Sequence, residues 1–358
     1  MRTMRNWPIS VMISSLKRLI IGSPLEEPAR TFHRWLTLDR LARMNQHQIA
    51  DTPPLANALR SICIVIPWFG PWPAWMRFFL ESCRWNPTVD WLLFGDAPPP
   101  EDLPSNVRIV TIGFGDYRAL AASRLGIKPK WTEPYKLCDL KPALGFIHEA
   151  DIAPYDYWGF GDLDVIYGNI RRFYTEQILI HDLVSTHEHM VAGHFSLLRT
   201  TPRMLTAFKQ IPRWKAHLST ARHRHFDEQI FSFLFLPWPR LITPYLGGGY
   251  FQERFSTNLA KLKWVDGSMN FPQQWFWDHG RLTTDRSGDR EFLYLHFSHW
   301  QSNRWTGREV APWKNLRCLD KVPDTRPSAF AIGANGFTPL PHLPRANSPP
   351  ESARKRSD

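Results

Sequence analysis

The hydrophobic pattern of the central part of the chain predicts alternating strands and helices. The β-branched run at residues 61–66 (SICIVI) is typical of a strand buried on both faces, as in a parallel sheet. The next segment, Pro73–Cys83, has helical spacing and begins with proline. Apolar runs at Trp91–Phe94 and Val107–Ile112 predict two further strands. This succession indicates an α/β architecture.

Further along the chain, the same kind of pattern continues. Tyr157–Gly161 predicts a fourth strand, and Asp182–Thr186 and His194–Leu198 predict two more. Asp139 is placed to cap a helix over residues 140–149. The predicted fold is therefore one α/β domain with a mostly parallel central sheet flanked by helices.

Composition changes at both ends of this pattern. Residues 1–59 mix basic positions with short apolar clusters and are expected to form a leader that is partly helical or flexible. The domain is expected to cover residues 60–310. Residues 311–358 are then a C-terminal extension, whose last part is a Pro-, Ser- and Arg-rich basic tail expected to be disordered.

The net charge of +11 is concentrated outside the predicted domain. Residues 1–45 hold eight basic and three acidic side chains, and residues 345–358 hold four and two. Basic ends of this kind fit peripheral contact with an anionic membrane surface. The chain has four cysteines and no C-x-x-C motif, which argues against a disulfide scaffold or a zinc finger and favours the cytoplasm. No apolar run reaches the ~20 residues that span a bilayer.

A cluster of basic residues and a cluster of histidines each suggest an alternative function. Residues 222–225 (RHRH) are a local candidate for binding single-stranded nucleic acid. No nucleic-acid-binding fold signature accompanies them, so we expect no nucleic-acid partner. His187, His189 and His194 offer three ligands for a zinc hydrolase, but their spacing matches no familiar zinc signature.

An acidic pair follows the fourth predicted strand. Asp162 and Asp164 are two residues apart, so in an extended chain their carboxylates point the same way. Strand ends of this kind are where open α/β sheets bind ligands. Two close carboxylates repel unless a cation lies between them, and Mg²⁺ or Mn²⁺ takes carboxylate, water and phosphate oxygens. The pair predicts a divalent-cation site that recruits a diphosphate, although a motif this short also fits a solvated turn.

Several stretches around this pair together resemble one known family. They occur in this order: YKLCDLKPALG at 135–145, YWGFGDLDVIYG at 157–168, AGHFSLLR at 192–199, FDE at 226–228 and YLHF at 294–297. Over roughly residues 60–300, the chain is similar to a bacterial glycosyltransferase family of the GT-A (nucleotide-diphospho-sugar transferase) type, which is largely uncharacterised.

This resemblance implies a GT-A-like domain whose half at 60–165 binds the nucleotide and whose half at 166–310 shapes the sugar and acceptor site. The implied activity is metal-dependent transfer of a sugar from a nucleotide-diphosphate donor to a saccharide or lipid-linked saccharide acceptor. Its implied setting is bacterial surface-polysaccharide assembly in the cytoplasm, at the inner face of the membrane. The alternative is a catalytically silent nucleotide- or carbohydrate-binding protein on the same fold, because a fold does not decide function.

The resemblance also implies roles for single residues. Asp162 and Asp164 match the D-x-D metal motif, and His296 is similar to the late histidine that completes the metal site for Mn²⁺ or Mg²⁺. His296 also fits a buried histidine on an aromatic strand, and Asp139 fits a helix cap as well as a ligand. The expected nucleotide-sugar-binding residues are Trp68, Phe69, Asp96, Lys136, Asp139, Lys141, Asp162 and His194.

Asp227 and Glu228 are the candidate catalytic residues. Inverting transfer needs a carboxylate that accepts a proton from the acceptor hydroxyl group. Asp227 is the first candidate for this base or for an acceptor contact, and Glu228 is the second. Because Asp227 precedes the apolar run at 230–235, it also fits the cap of a helix.

Overall fold

The computed structural model describes residues 59–187, 190–235, 249–251, 264, 268, 271–297 and 328–340. In chain order, the strands within these ranges are β1 Ile62–Pro67, β2 Val89–Gly95, β3 Val107–Thr111, β4 Tyr157–Gly161, β5 Val165–Tyr167, β6 Leu183–Ser185, β7 Phe195–Arg199, β8 Gly249–Phe251, β9 Gln274–Asp278, β10 Arg281–Thr284, β11 Tyr294–His296, β12 Ala329–Gly333 and β13 Gly336–Pro339.

The α-helices in the described ranges are α1 Met76–Arg84, α2 Phe114–Leu125, α3 Leu144–Ile147, α4 Glu149–Ile152, α5 Ile170–Phe173, α6 Pro202–Leu205 and α7 Trp214–Ser219. The described ranges also contain three 3₁₀ helices, Pro134–Ala143, Ala207–Gln210 and Phe231–Leu234. One π-helical turn covers Phe226–Ile230. None of the described helices is long and apolar enough to cross a membrane.

A seven-stranded sheet in the order β3-β2-β1-β4-β7-β6-β8 forms the centre of the fold. The pairs β1–β2, β1–β4, β2–β3 and β6–β8 are parallel, whereas β7 is antiparallel to both β4 and β6. The prediction of an α/β fold with a mostly parallel sheet is confirmed. Because β7 runs opposite to β4, its first residues lie at the edge where β1 and β4 end.

The burial of β1 on both faces explains why its sequence is apolar throughout. Cys63 and Val65 belong to the apolar cluster that contains residues of α2, while Ile62, Ile64 and Ile66 belong to the cluster that contains residues of α1. The strand is thus covered on both faces, as expected for a parallel sheet. The helix predicted at Pro73–Cys83 is α1, which begins three residues later.

A second, antiparallel sheet in the order β10-β9-β12-β13 has two buried tryptophans, Trp275 and Trp277, on β9. Trp277 of β9 stacks on Phe330 of β12 with 4.8 Å between ring centroids, and its Nε1 donates to the Tyr167 carbonyl at 2.8 Å. The β12–β13 hairpin lies within residues 311–358, so part of the predicted extension packs on the domain. The predicted leader and basic tail lie outside the described residues.

Two predicted helix caps are wrong. Asp139 lies inside the 3₁₀ helix Pro134–Ala143, and the predicted helix over 140–149 is instead the end of this 3₁₀ helix, then α3, then the first residue of α4. The Asp139 carboxylate accepts hydrogen bonds from distant parts of the chain and so does not cap a neighbouring turn. Asp227 likewise lies inside the π-helical turn, where its side chain is buried.

Candidate active site

Three side chains from two strand ends converge on one point. Asp162 and Asp164 follow β4, and β11 pairs with β5 so that His296 lies opposite Val165. The Oδ2 atom of Asp164 is 3.4 Å from Nε2 of His296. One ligand atom from each of Asp162, Asp164 and His296 lies within 4.8 Å of the others.

This group fits a divalent cation. Ligands at ~2.1 Å from an octahedral ion lie about 3 Å apart when they are adjacent, which is close to the measured Asp164–His296 separation. The carboxylate side chains of Asp162 and Asp164 are 33% and 23% exposed, so water and phosphate oxygens can reach the remaining positions. Two carboxylates and one imidazole suit Mn²⁺ well and Mg²⁺ less well.

A buried hydrogen-bond chain lies behind the His296 ring. His194 stacks on His296 with 4.0 Å between centroids, and its Nε2 is 2.5 Å from the Tyr294 hydroxyl group. That hydroxyl is 2.5 Å from Thr186 Oγ1. His194, expected to bind the nucleotide sugar, is buried and packs against the candidate ligand His296. This contact restrains the orientation of the ring.

Lys141 lies directly beside the acidic pair. Its Nζ donates to Asp162 Oδ1 at 2.5 Å, and the lysine side chain is only 7% exposed. Burial acts to lower the pKa of the ammonium group, but the nearby negative groups, led by Asp162 and including Asp227, together raise that pKa above its ordinary value. The lysine is therefore charged and neutralises part of the acidic cluster.

Asp227 and Glu228 lie close enough to Lys141 to interact with its charge. Burial raises the pKa of both carboxyl groups, and the Lys141 charge opposes this effect. The Gly193 amide donates to Glu228 Oε1 at 3.4 Å. A methyl group added at Gly193 would lie 2.7 Å from Asp227 Oδ2 and 3.0 Å from Glu228 Oε1, so the Asp227 carboxyl group would have to shift to accommodate it.

A second acidic cluster has a structural role instead. Asp139, His223 and Asp227 also bring ligand atoms within 4.8 Å. The Asp139 oxygens already accept from Lys136 Nζ at 2.5 Å and from the amides of Arg224 and Phe226 at 2.8 Å each. These donors occupy both oxygens of the Asp139 carboxylate, which is wholly buried, so the carboxylate has no open position for a metal ion.

Lys136 extends this structural role. Its Nζ also donates to the carbonyl groups of His217 and Arg222 at 2.9 Å each. Lys136 and Asp139 are almost wholly buried and hold together the segment that leads into Asp227. The structure places both residues, which were expected to bind the nucleotide sugar, beneath the site.

A cavity of about 240 Å³ opens onto Asp162. One wall is the loop after β1, with Trp68 and Phe69, and the other is the 3₁₀ helix Pro134–Ala143 with Lys141. Tyr135 lines this cavity with a side chain that is 68% exposed. Sequence reasoning did not single out Tyr135, although the residue begins one of the stretches that carry the family resemblance.

The loop after β1 is held in place by its neighbours. Phe69 packs against Phe114 and Tyr117, each with 5.2 Å between centroids. Asp96 Oδ1 accepts from the Gly70 amide at 2.7 Å, where Gly70 has a φ of 104°. Asp96, expected to contact the base or ribose, therefore braces the cavity wall through this loop.

The histidine alternative is not supported by the described residues. Rings of His187 and His194 are 5.1 Å apart, but within the described ranges neither belongs to a group of three ligands close enough to hold a metal. His189 lies outside the described residues.

Comparison with known proteins gives a family but little else. No curated protein matches the sequence. Among solved structures, the chain is similar to the glycosyltransferase GlyE of Streptococcus pneumoniae TIGR4, with 9% identity and a TM-score of 0.26. The match covers 43% of this chain and 39% of that enzyme, so the chain spans well under half of its length. A family of unknown function, DUF6625, matches residues 64–323, and the chain belongs to this family.

Proposed function

We propose that the protein is a glycosyltransferase that uses a nucleotide-diphosphate sugar and a divalent cation on a GT-A-like domain. The observation that carries this proposal is the convergence of Asp162, Asp164 and His296 at the carboxyl end of β4, beside a cavity. Carboxyl ends of strands are the usual ligand sites of α/β sheets. The family resemblance of the surrounding motifs adds to this argument.

In this proposal the three side chains would hold Mn²⁺ or Mg²⁺. The bound ion would supply Lewis-acid stabilisation of the departing diphosphate. Lys141 would pair with a phosphate oxygen as a point charge, because the residue lines the cavity and its ammonium group lies next to Asp162. Trp68 in the opposite wall would stack on the nucleobase.

Activation of the acceptor is assigned to the buried carboxyl groups of Asp227 and Glu228. A base for acceptor activation works best when its pKa lies near the working pH. Burial raises the pKa of Asp227 and Glu228 toward that range. Asp227 is the first candidate to accept the proton of the acceptor hydroxyl group, and Glu228 is the second. The acceptor class proposed is a saccharide or a lipid-linked saccharide at the inner face of a bacterial membrane.

Thermal unfolding with a panel of nucleotides tests the proposal. UDP, GDP, CDP and ADP are each added with and without Mn²⁺ to the wild type, to Asp164→Ala and to the control Asp116→Ala, whose side chain is exposed on α2. We expect at least one nucleotide to stabilise the wild type and the control only when Mn²⁺ is present. Stabilisation that persists without the metal, or that survives Asp164→Ala, would instead favour a metal-independent binding protein.

A further inference from the structure

A buried lysine occupies one end of the proposed cation site. Lys141 Nζ lies 2.5 Å from Asp162 Oδ1, and the lysine side chain is nearly excluded from solvent. Asp162 is also one of the three side chains that offer ligand atoms within 4.8 Å of one another. The ammonium group and a divalent cation would therefore use the same carboxylate.

Two positive charges on one carboxylate repel each other. The strength of this repulsion depends on how well water screens it, and little water reaches Lys141. Because the lysine side chain is nearly excluded from solvent, water cannot readily replace the hydrogen bond that its ammonium group would lose on leaving Asp162. A divalent cation alone must therefore enter against a resident positive charge.

A nucleoside diphosphate changes this balance. Its phosphate oxygens can accept the charged hydrogen bond of Lys141, which releases Asp162. The same oxygens can complete the coordination of a divalent ion that is held by only a few protein ligands. Each ligand thus removes an obstacle to the other, and thermodynamic linkage makes the effect reciprocal.

We propose that Lys141 makes the binding of the divalent cation and of the nucleoside diphosphate mutually dependent. In the ligand-free chain it neutralises Asp162, and with both ligands bound it pairs with the diphosphate. This inference rests on the proposed function, because it takes Asp162, Asp164 and His296 as the cation site. We expect a nucleoside diphosphate to tighten Mn²⁺ binding by at least about fivefold, within the usual range of such couplings.

Mn²⁺ binding to the full chain, followed by the electron paramagnetic resonance signal of free Mn²⁺, tests this coupling. Wild type, Lys141→Met, Asp164→Ala and the exposed-lysine control Lys128→Met are titrated alone and then with UDP, GDP, CDP or ADP. Protein-free titrations correct for Mn²⁺ held by the nucleotide. Circular dichroism verifies folding, and Lys141→Gln replaces the Met variant if that variant does not fold.

We expect Lys141→Met to bind Mn²⁺ alone at least about fivefold more tightly than the wild type, and to lose most of the enhancement by nucleotide. Lys128→Met should behave as the wild type. Unchanged or weaker Mn²⁺ binding by Lys141→Met would overturn the role of the lysine. Wild-type Mn²⁺ binding that requires Asp164 but ignores every nucleotide would overturn the coupling and leave the cation site standing. Absence of Mn²⁺ binding under all conditions would instead contradict the proposed function.

Discussion

Replacing Lys136 with Met tests whether the Lys136–Asp139 pair is structural. Both side chains are at most 2% exposed, so water cannot take the place of the missing ammonium group. The Asp139 charge would retain the two backbone amides at 2.8 Å but lose its contact at 2.5 Å. Removing one partner of a buried ion pair costs about 3–5 kcal/mol. This is a large fraction of the ~5–15 kcal/mol that stabilises a typical protein.

Urea unfolding of Lys136→Met, of Asp139→Asn and of the double variant measures this cost, with Lys128→Met as the exposed control. The double variant should lose less unfolding free energy than the two single variants added together, because it leaves no unpaired buried charge. A loss below about 1 kcal/mol in Lys136→Met would show that the pair contributes no more than a solvent-exposed ion pair and is not structural.

Three further predictions concern the site itself. Gly193→Ala should lower the free energy of unfolding by about 1–3 kcal/mol, because its methyl group would press on Asp227 and Glu228; urea unfolding measures this. Burial raises the pKa of Asp227 in the folded chain, so the unfolding free energy should fall as the pH rises above the ordinary value of 3.8 toward the raised pKa. Asp227→Asn should weaken that dependence in urea titrations at several pH values. Tyr135→Ala should change stability by less than about 0.5 kcal/mol but weaken nucleoside diphosphate binding by about 1–3 kcal/mol in calorimetry.

Each of these predictions has a contrary outcome. A Gly193→Ala variant as stable as the wild type would show that the carboxyl groups can move aside. A pH dependence that is identical in Asp227→Asn would remove Asp227 as its source. Unchanged nucleotide affinity in Tyr135→Ala would place the ligand away from the cavity rim.

The sequence pattern predicted the central sheet because its strands are unusually apolar. Residues 62–66 are buried on both faces, and such a run is typical of a strand in a parallel sheet. The pair Asp162 and Asp164 could be placed at a strand end for the same reason, since the aromatic strand before it is easily recognised. The local hydrophobic pattern was therefore sufficient to predict the elements whose conformation is determined by burial of apolar side chains.

The buried polar network could not be predicted in this way. Asp139 accepts hydrogen bonds from the amides of Arg224 and Phe226, which lie 85 and 87 residues further along the chain. From the local sequence, Asp139 was expected to cap a helix, but its carboxylate accepts these tertiary hydrogen bonds instead. His296 joins Asp164 through a pair of three-residue strands, too short to be recognised from periodicity. The family resemblance, and not spacing, pointed to this histidine.

We propose above that Asp162, Asp164 and His296 form a metal site that serves sugar transfer. Release of nucleoside diphosphate from a panel of nucleotide sugars, measured with and without Mn²⁺, tests it most directly. We predict that one donor in the panel is consumed by the wild type in the presence of Mn²⁺, and that chelation of the metal or the substitution Asp164→Ala abolishes this release. Release that continues at the wild-type rate after chelation and in Asp164→Ala would show that sugar transfer does not depend on this metal site.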